Sequence, residues 1–262
     1  MTYRFTAFLK DPDADRPDNP IHSTAGGQQH GFKSALVGGV HVFGWTTGAF
    51  LESLGDQWLE SGWVEISFRR PVYDGDVMTV NLAGESFTVT NPAADVCLEG
   101  RAGLGSPPFQ IEPIEFAAPE PQPADRPRLT LDSAPVGQTL RSMGVSWHST
   151  DQEPFVEQWL EDANPRYHGT QPDCHPAWIA RQPIDLLHHS FDYGPAIHTD
   201  SQIQYLAPAR VGDEFVIAGR CADAFDKRGH HFIVNECALF GSDEQELVRL
   251  RHTAIFKLRT AD

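Results

Sequence analysis

Basic residues are scarce in this chain: 20 Lys and Arg stand against 36 Asp and Glu, a net charge of −16. That balance excludes nucleic acid or an anionic membrane as a general partner, although a few local arginines can still hold an anionic ligand. Only four cysteines occur, Cys97, Cys174, Cys221 and Cys237, and none has CxxC spacing. They read as free buried thiols of a reducing compartment, so a cytoplasmic protein is expected. Asp173-Cys174-His175 is the one ligand-rich tripeptide, and no second ligand pair stands at zinc-like spacing, so no metal is expected. No apolar run reaches transmembrane length, and the opening "MTYRFTAFLKDPDADRPDNP" has no apolar core of a secretory signal. The 262 residues suffice for one large domain or two small ones with proper cores.

Two copies of one unit are present. "ISFRRPVYDGDVMTV" (66–80) resembles "IQYLAPARVGDEFVI" (203–217): Ile66, Phe68, Pro71, Gly75, Asp76 and Val80 meet Ile203, Tyr205, Pro208, Gly212, Asp213 and Ile217, each pair 137 positions apart (208 − 71, for example). The same offset carries Gly38 onto His175. An ungapped repeat over roughly 40 residues marks a duplicated unit. Between the copies, residues 106–135 are rich in proline and acid and form neither a continuous helix nor a central strand. They read as an extended surface connector between an N-terminal unit, 1–105, and a C-terminal unit, 136–262.

Each copy begins with a helix and continues with strands. Val40, Phe43, Thr47, Phe50, Leu54 and Trp58 recur at helical spacing and predict a helix from Gly39 to Leu59. Gly44 and Gly48, one turn apart, predict that another chain segment packs very close. The second helix is expected from Pro176 to His189, kinked or interrupted at Pro183. Strands follow at 63–72, 76–84, 85–91 and 95–103, and again at 196–206, 213–223, 230–241 and 246–258. A long helix followed by an antiparallel meander, done twice, gives an α+β fold with a sheet wrapped around a helix in each half.

Three features together resemble the hotdog fold, and within it the MaoC-like enoyl-thioester hydratases and dehydratases: "NPIH" ahead of Gly31-Phe32 and Leu36-Val37, the glycine-containing helix, and "RPVYDGD" after the next strand. The resemblance covers about two-thirds of the chain and implies two tandem hotdog units fused as a double hotdog. In the family the motif runs D-x-N-P-[LIV]-H. Here Asn19, Pro20, Ile21 and His22 match, but the aspartate position holds Pro17, and Asp18 stands one residue late. The second copy, "EDANPRYHG", keeps Asp162, Asn164 and Pro165 but has Tyr167 in the histidine position. Neither copy keeps the whole Asp/His pair at the family spacing.

The implied chemistry is reversible hydration of an enoyl thioester, on coenzyme A or a carrier-protein phosphopantetheine that belongs to the substrate, with no other cofactor. A histidine is suited to take the proton of the attacking water, and amides at a helix N-terminus can hold the charge on the thioester oxygen. On this reading His22 is the base, Asp18 its partner and Gly39 the oxyanion donor. Phe32, Gly38, His41, Trp45, Arg69 and Arg70 are candidate substrate contacts, and Asp162, Asn164 and Tyr167 are candidates in the second copy. By itself Asn19-Pro20 is a turn signal, and His22 could equally bond a loop carbonyl. His41 and Trp45 could instead pack against the other half. Arg69 and Arg70, or alternatively Lys227 and Arg228, are the basic residues available for phosphates. The row His198, Asp200, Gln202 and Gln204 is expected to face solvent or an interface rather than a ligand. Two further functions stay open: a hotdog thioesterase using Asp18 or Asp162, and a non-catalytic acyl-thioester-binding protein. Unpaired sheet edges of each hotdog allow a homodimer.

Overall fold

The structure is a computed structural model and describes residues 1–14 and 19–259. Its first half contains β1 (Thr2–Thr6), α1 (Thr24–Gln29), α2 (Gly39–Leu54), α3 (Trp58–Ser61), β2 (Gly62–Phe68), β3 (Val77–Ala83), β4 (Ser86–Thr90) and β5 (Val96–Leu104). The second half contains β6 (Met143–Ser146), α4 (Ser149–Pro154), a π-helical turn (Phe155–Leu160), α5 (Pro176–Ser190), β7 (Ile197–Tyr205), β8 (Glu214–Lys227), β9 (His230–Phe240) and β10 (Glu246–Lys257). The ten strands form one antiparallel sheet in the order β1-β3-β4-β5-β2-β7-β10-β9-β8-β6. Read inward from either end, that order is the same arrangement of equivalent strands, so the repeat in sequence is a repeat in space.

Each helix is held by the apolar face that its periodicity marks. Val42, Phe43, Ala49 and Phe50 of α2 are fully buried, with the Phe50 ring 4.9 Å from Phe87 and 5.2 Å from Trp58. The helix ends before the expected Leu59, because Gly55 takes φ +78°; Trp58 returns to the core from the separate turn α3. Conversely, α5 runs on through Pro183 to Ser190 instead of stopping there. The two helices meet at Gly44, where an added Cβ would lie 2.9 Å from the Ala177 Cβ and 3.2 Å from both His175 and Leu160. At Gly48 the close neighbour is the Tyr3 hydroxyl of β1, 2.5 Å from where a Cβ would stand.

The seam between the halves is the pairing of β2 with β7, from Trp63 opposite Gln204 to Ser67 opposite Asp200. The edges that appeared free for a second chain are thus consumed within this one, and β1 and β6 remain as the outer strands. Polar side chains stitch the seam: Ser67 donates to Asp200 at 2.5 Å and Gln202 to Glu65 at 3.0 Å. From Gln202 the chain of contacts continues through Arg251 to the buried Glu236 and on to Arg220. The connector is more than a surface strap. Its Ile111 and Leu129 are buried, and just beyond its end Gly137 and Leu140 donate to carbonyls of β8. No helix among the described residues is long and apolar enough to cross a membrane.

Filling the Gly44 contact should overpack two helices that have no room to part. Gly44→Val is expected to cost about 1–3 kcal/mol, read as a lower urea midpoint with an unchanged m-value; a midpoint equal to that of the parent chain would contradict the close approach.

Candidate active site

The loop that carries His22 is fixed by short-range geometry. Pro20 to His22 form one 3-10 turn, and Ser23 caps α1 by accepting from the Gly26 N–H. Gly26 and Gly27 press so tightly on Pro20 and Ser34 that a Cβ on either would meet backbone at 2.0 and 2.3 Å. That explains the small residues of "STAGGQQ". The Leu36 N–H donates to the Ile21 carbonyl, and the His22 Nδ1 lies 2.7 Å from the Leu36 carbonyl oxygen. A carbonyl can only accept, so Nδ1 bears a proton. One nitrogen of His22 thus bonds a loop carbonyl, as the turn reading of Asn19-Pro20 expects.

Asn19 does what a turn signal alone does not. Its amide donates to the Ala196 carbonyl at 2.9 Å and accepts from the Ala196 N–H at 3.2 Å, clamping the first-half loop to the start of β7. His22 thereby lies where two cavities meet. An inner cavity of about 320 Å³ is lined largely by apolar side chains, among them Phe32, Val37, Phe68, Val72, Ile197 and Ile255. An outer one of about 810 Å³ is lined by His41, Trp159, Arg126, Arg128, Arg181 and Asp185, among others. His22, Gly38, Val40, Ile184 and Tyr193 border both.

The N-terminus of α2 opens onto this junction. Gly38 is its N-cap, has no side chain to cap with, and stands so that a Cβ would be 3.8 Å from the His22 ring. The first N–H groups of a helix have no partner inside it and carry its positive pole, so the Gly39 end of α2 turns positive potential towards the cavity it borders. Of the other expected contacts, Phe32, Gly38, Arg69 and Arg70 border the inner cavity and His41 the outer. His41 stacks on Trp159 at 6.1 Å. Arg69 pairs with Glu99 at 2.7 Å and Arg70 with Asp95 at 3.5 Å. Trp45 is a correction: it borders neither cavity, because its indole N–H donates to the Leu160 carbonyl at 2.7 Å and its ring packs on Phe5 and Phe8. Lys227 and Arg228 lie at the β8–β9 turn, away from both cavities. Asp18 and Pro17 lie outside the described residues.

The second copy is filled where the first is open. His175, the counterpart of Gly38, caps α5 by accepting from the Ala177 N–H at Nδ1 and points Nε2 at Asp162, 3.2 Å away. An Asp/His pair thus exists in this half, built from a histidine ten residues beyond the motif proline Pro165 (175 − 165), which the motif spacing does not reveal. It is sealed. His175 is wholly buried, the Tyr167 ring lies 4.3 Å from it, and Gln152 of α4 ties together the carbonyls of Tyr167 and Asp173. A nearby cavity of about 230 Å³ is lined by Tyr167 but by neither Asp162 nor His175. Asn164 is spent locally, accepting from the Arg166 N–H. Asp173 binds Arg166 and Arg210.

Sequence reasoning missed the second half's contribution to the open site. His198 belongs by alternation to the outer row with Asp200. The pairing of β7 with β10, however, shifts between Asp200 opposite Thr253 and His198 opposite Ala254, so that Thr199 is one residue extra. Such a bulge re-aims a side chain. His198 turns inward, its Nε2 2.7 Å from the Ser201 Oγ, which is 3.3 Å from the His252 Nδ1. Both imidazoles border the inner cavity, and a Cβ on Gly39 would lie 3.0 Å from His198.

No family model and no curated protein matches the chain. Solved structures do. A conserved hypothetical protein of Mycobacterium tuberculosis with a double hotdog fold superposes with a TM-score of 0.60 at 12% identity, over 97% of this chain and 95% of that one. A protein described as a MaoC-domain dehydratase of Chloroflexus aurantiacus gives 0.54 at 13%, over 93% and 88%. An N-terminal dehydratase from the difficidin assembly line gives 0.55 at 11%, over 99% and 94%. The chain has the double hotdog fold, and MaoC-like dehydratases are among the proteins it resembles in structure.

Burial lowers the pKa of His175, His198 and His252, the last to about 4, so all three are neutral near pH 7. The Asp162 contact opposes the shift at His175 without reversing it. In the unfolded chain each titrates near 6.5, and below that pH the unfolded state binds more protons. Stability is therefore complete above about pH 6.5 and lost as pH falls through the folded values. The thermal midpoint is expected to fall steadily from about pH 6.5 towards pH 4.5, above the range of most carboxylates, and His252→Gln should make the fall shallower. A midpoint constant across that window would contradict neutral burial.

Proposed function

We propose that this chain is a MaoC-like acyl-thioester hydratase that adds water reversibly to an enoyl thioester. The reading rests on one observation: a histidine oriented by a hydrogen bond from Nδ1 to a loop carbonyl stands beside the N-terminus of α2, where a largely apolar cavity meets one lined by arginines. The fold it shares with MaoC-like dehydratases supports the same reading. In the proposed reaction His22 takes a proton from water as the oxygen bonds to Cβ, and the first-turn amide at Gly39 holds the charge that moves onto the thioester oxygen. No cofactor is needed beyond the thiol carrier of the substrate.

The two cavities suit the two ends of such a substrate. The inner one takes the acyl group by burial of apolar surface. The outer one takes the carrier, where Arg126, Arg128 and Arg181 supply donors for phosphate. Arg128 pairs with Asp192 and Arg181 with Asp185, whereas Arg126 donates to the His188 carbonyl and forms no ion pair among the described residues. The full charge of Arg126 is thus left for an anion.

A panel of trans-2-enoyl-CoA esters should lose enoyl absorbance with this protein, and His22→Ala should lower kcat by roughly 10²–10⁴-fold. Release of free thiol without hydration would make it a thioesterase instead, and binding without turnover would leave an acyl-thioester-binding protein. Arg126→Ala should raise KM roughly threefold to tenfold, about 1 kcal/mol, for a CoA ester. It should leave an N-acetylcysteamine thioester, which has no phosphate, unchanged; equal effects on both would remove Arg126 from carrier binding.

A further inference from the structure

The open site draws a second proton-handling group from the other half of the molecule. His198 of β7, Ser201 of β7 and His252 of β10 form a continuous chain of hydrogen bonds, 2.7 Å and 3.3 Å long. The nitrogens at its two ends, His198 Nδ1 and His252 Nε2, are buried and have no partner among the described residues. Both rings border the inner cavity, and His198 lies against Gly39 just as His22 lies against Gly38. Adjacent Cα atoms are 3.8 Å apart, so both imidazoles lie at the N-terminal end of α2.

Such a chain has a fixed logic. The Ser201 hydroxyl has one proton, so it donates to one imidazole and accepts from the other. When it donates to His198 Nε2, the His198 Nδ1 is an N–H donor and the His252 Nε2 a lone pair. When it donates to His252 Nδ1, the ends are reversed. One end is always a donor and the other an acceptor, and a shift of protons along the chain exchanges them. The surroundings hold both rings neutral, which keeps either arrangement accessible. A chain buried in this way has no purely structural need for two unsatisfied nitrogens, since each costs desolvation with no return.

We infer that His198 is the group that protonates Cα in the hydration reaction, with Ser201 and His252 as the positioning relay that resupplies it. The inference rests on the hydratase reading above. As the water oxygen bonds to Cβ, its proton passes to His22 Nε2, and the electron pair of the double bond moves towards Cα and the thioester oxygen. The proton on His198 Nδ1 passes to Cα. His198 Nε2 then takes the Ser201 proton, Ser201 takes the His252 Nδ1 proton, and solvent returns to His252 Nε2 the proton that His22 received. H and OH have added across one double bond, and the relay is left in its reversed arrangement, with a lone pair at His198 Nδ1 and an N–H at His252 Nε2. It resets before the next turnover by giving the His252 Nε2 proton to solvent, shifting its protons back along the chain and taking one from solvent at His198 Nδ1. A carboxylate at the family's usual place is not required for this division of labour.

The test compares crotonyl-CoA hydration by the full-length protein and its variants, each checked for folding by its affinity for butyryl-CoA, which cannot be hydrated. Ser201→Ala and His252→Asn should lower kcat roughly tenfold to a hundredfold with KM within about twofold, and His198→Asn should lower it further. Ser201→Thr, which restores a hydroxyl, should recover most of the lost rate. In the parent protein, imidazole nitrogen resonances of both His198 and His252 should move when butyryl-CoA binds, a measurement that needs no variant to fold. Parental kcat in Ser201→Ala and His252→Asn, equal impairment of the alanine and threonine variants, or a His198 resonance that ignores the ligand would each overturn the relay while leaving the hydratase reading intact. An inert parent protein would overturn the hydratase reading itself, and the relay with it.

Discussion

The antiparallel pairing of β2 with β7 is the constraint on which the rest of the molecule depends. Each half alone is a helix on five strands with an unpaired edge, and an unpaired edge invites another chain. Joining β2 to β7 removes that hazard at one edge of each half and fixes where the halves lie. Ile66 stands opposite Ser201, so the seam itself places the strand that carries His198 and Ser201 beside the helix that begins at Gly39. The Asn19 amide then locks the His22 loop to Ala196, at the head of the same strand. The open site is consequently a property of neither half: the loop and the helix terminus come from one, and two of the three imidazoles from the other.

The duplication explains why only one such site is open. At equivalent positions Gly38 leaves the end of α2 uncapped, and His175 closes the end of α5 with its own side chain. In the motif His22 presents its ring to a cavity, while Tyr167 lays its ring on His175. Asn19 reaches across the seam, while Asn164 turns back on its own loop. Two of these differences replace a helix end or a ring that borders a cavity with one satisfied inside the fold, and the third replaces a bond across the seam with a local one. A buried neutral histidine that both caps a helix and donates to the depressed carboxylate of Asp162 satisfies its polar groups within the fold. The second copy therefore serves as a wall and a source of side chains for the first.

How much of this could be read from the sequence follows from the range of the interactions involved. The strands at 62–104 and 197–257 were legible because alternation and turn residues are local, and the repeat at a spacing of 137 made each half support the other. β1 and β6 were not, since strands of five and four residues that pair on one side only leave too short a pattern. Helix α2 was overextended because Leu54 and Trp58 continue the apolar period past Gly55, whose positive φ ends the helix. His22, Gly38 and Gly39 border one cavity, and the NPIH turn and the glycine entry to the helix mark them in the sequence by local signals. His198 was hidden by a single extra residue in a strand pairing, a bulge that inverts its face without leaving a mark in composition. His175 was visible at the repeat offset, but its pairing with Asp162 depends on a loop that is shorter in the second copy.

Charge poses the last question, since a chain of net charge −16 is proposed to admit a phosphate-bearing ligand. Net charge acts at long range, and at physiological ionic strength it is screened over about 8 Å. What a phosphate meets on arrival is the wall of the outer cavity, where Arg126, Arg128 and Arg181 outnumber Asp185 and Asp192. Two of those arginines are already neutralised by those two aspartates, so the local excess is the single charge of Arg126. Overall acidity would slow the approach of an anion without weakening its final contact, because the contact depends on the near charges alone. The connector between the two copies supplies Arg126 and Arg128. A segment that began as a link between duplicated units thus provides, on this reading, the surface that distinguishes a phosphate-bearing thioester from one without it.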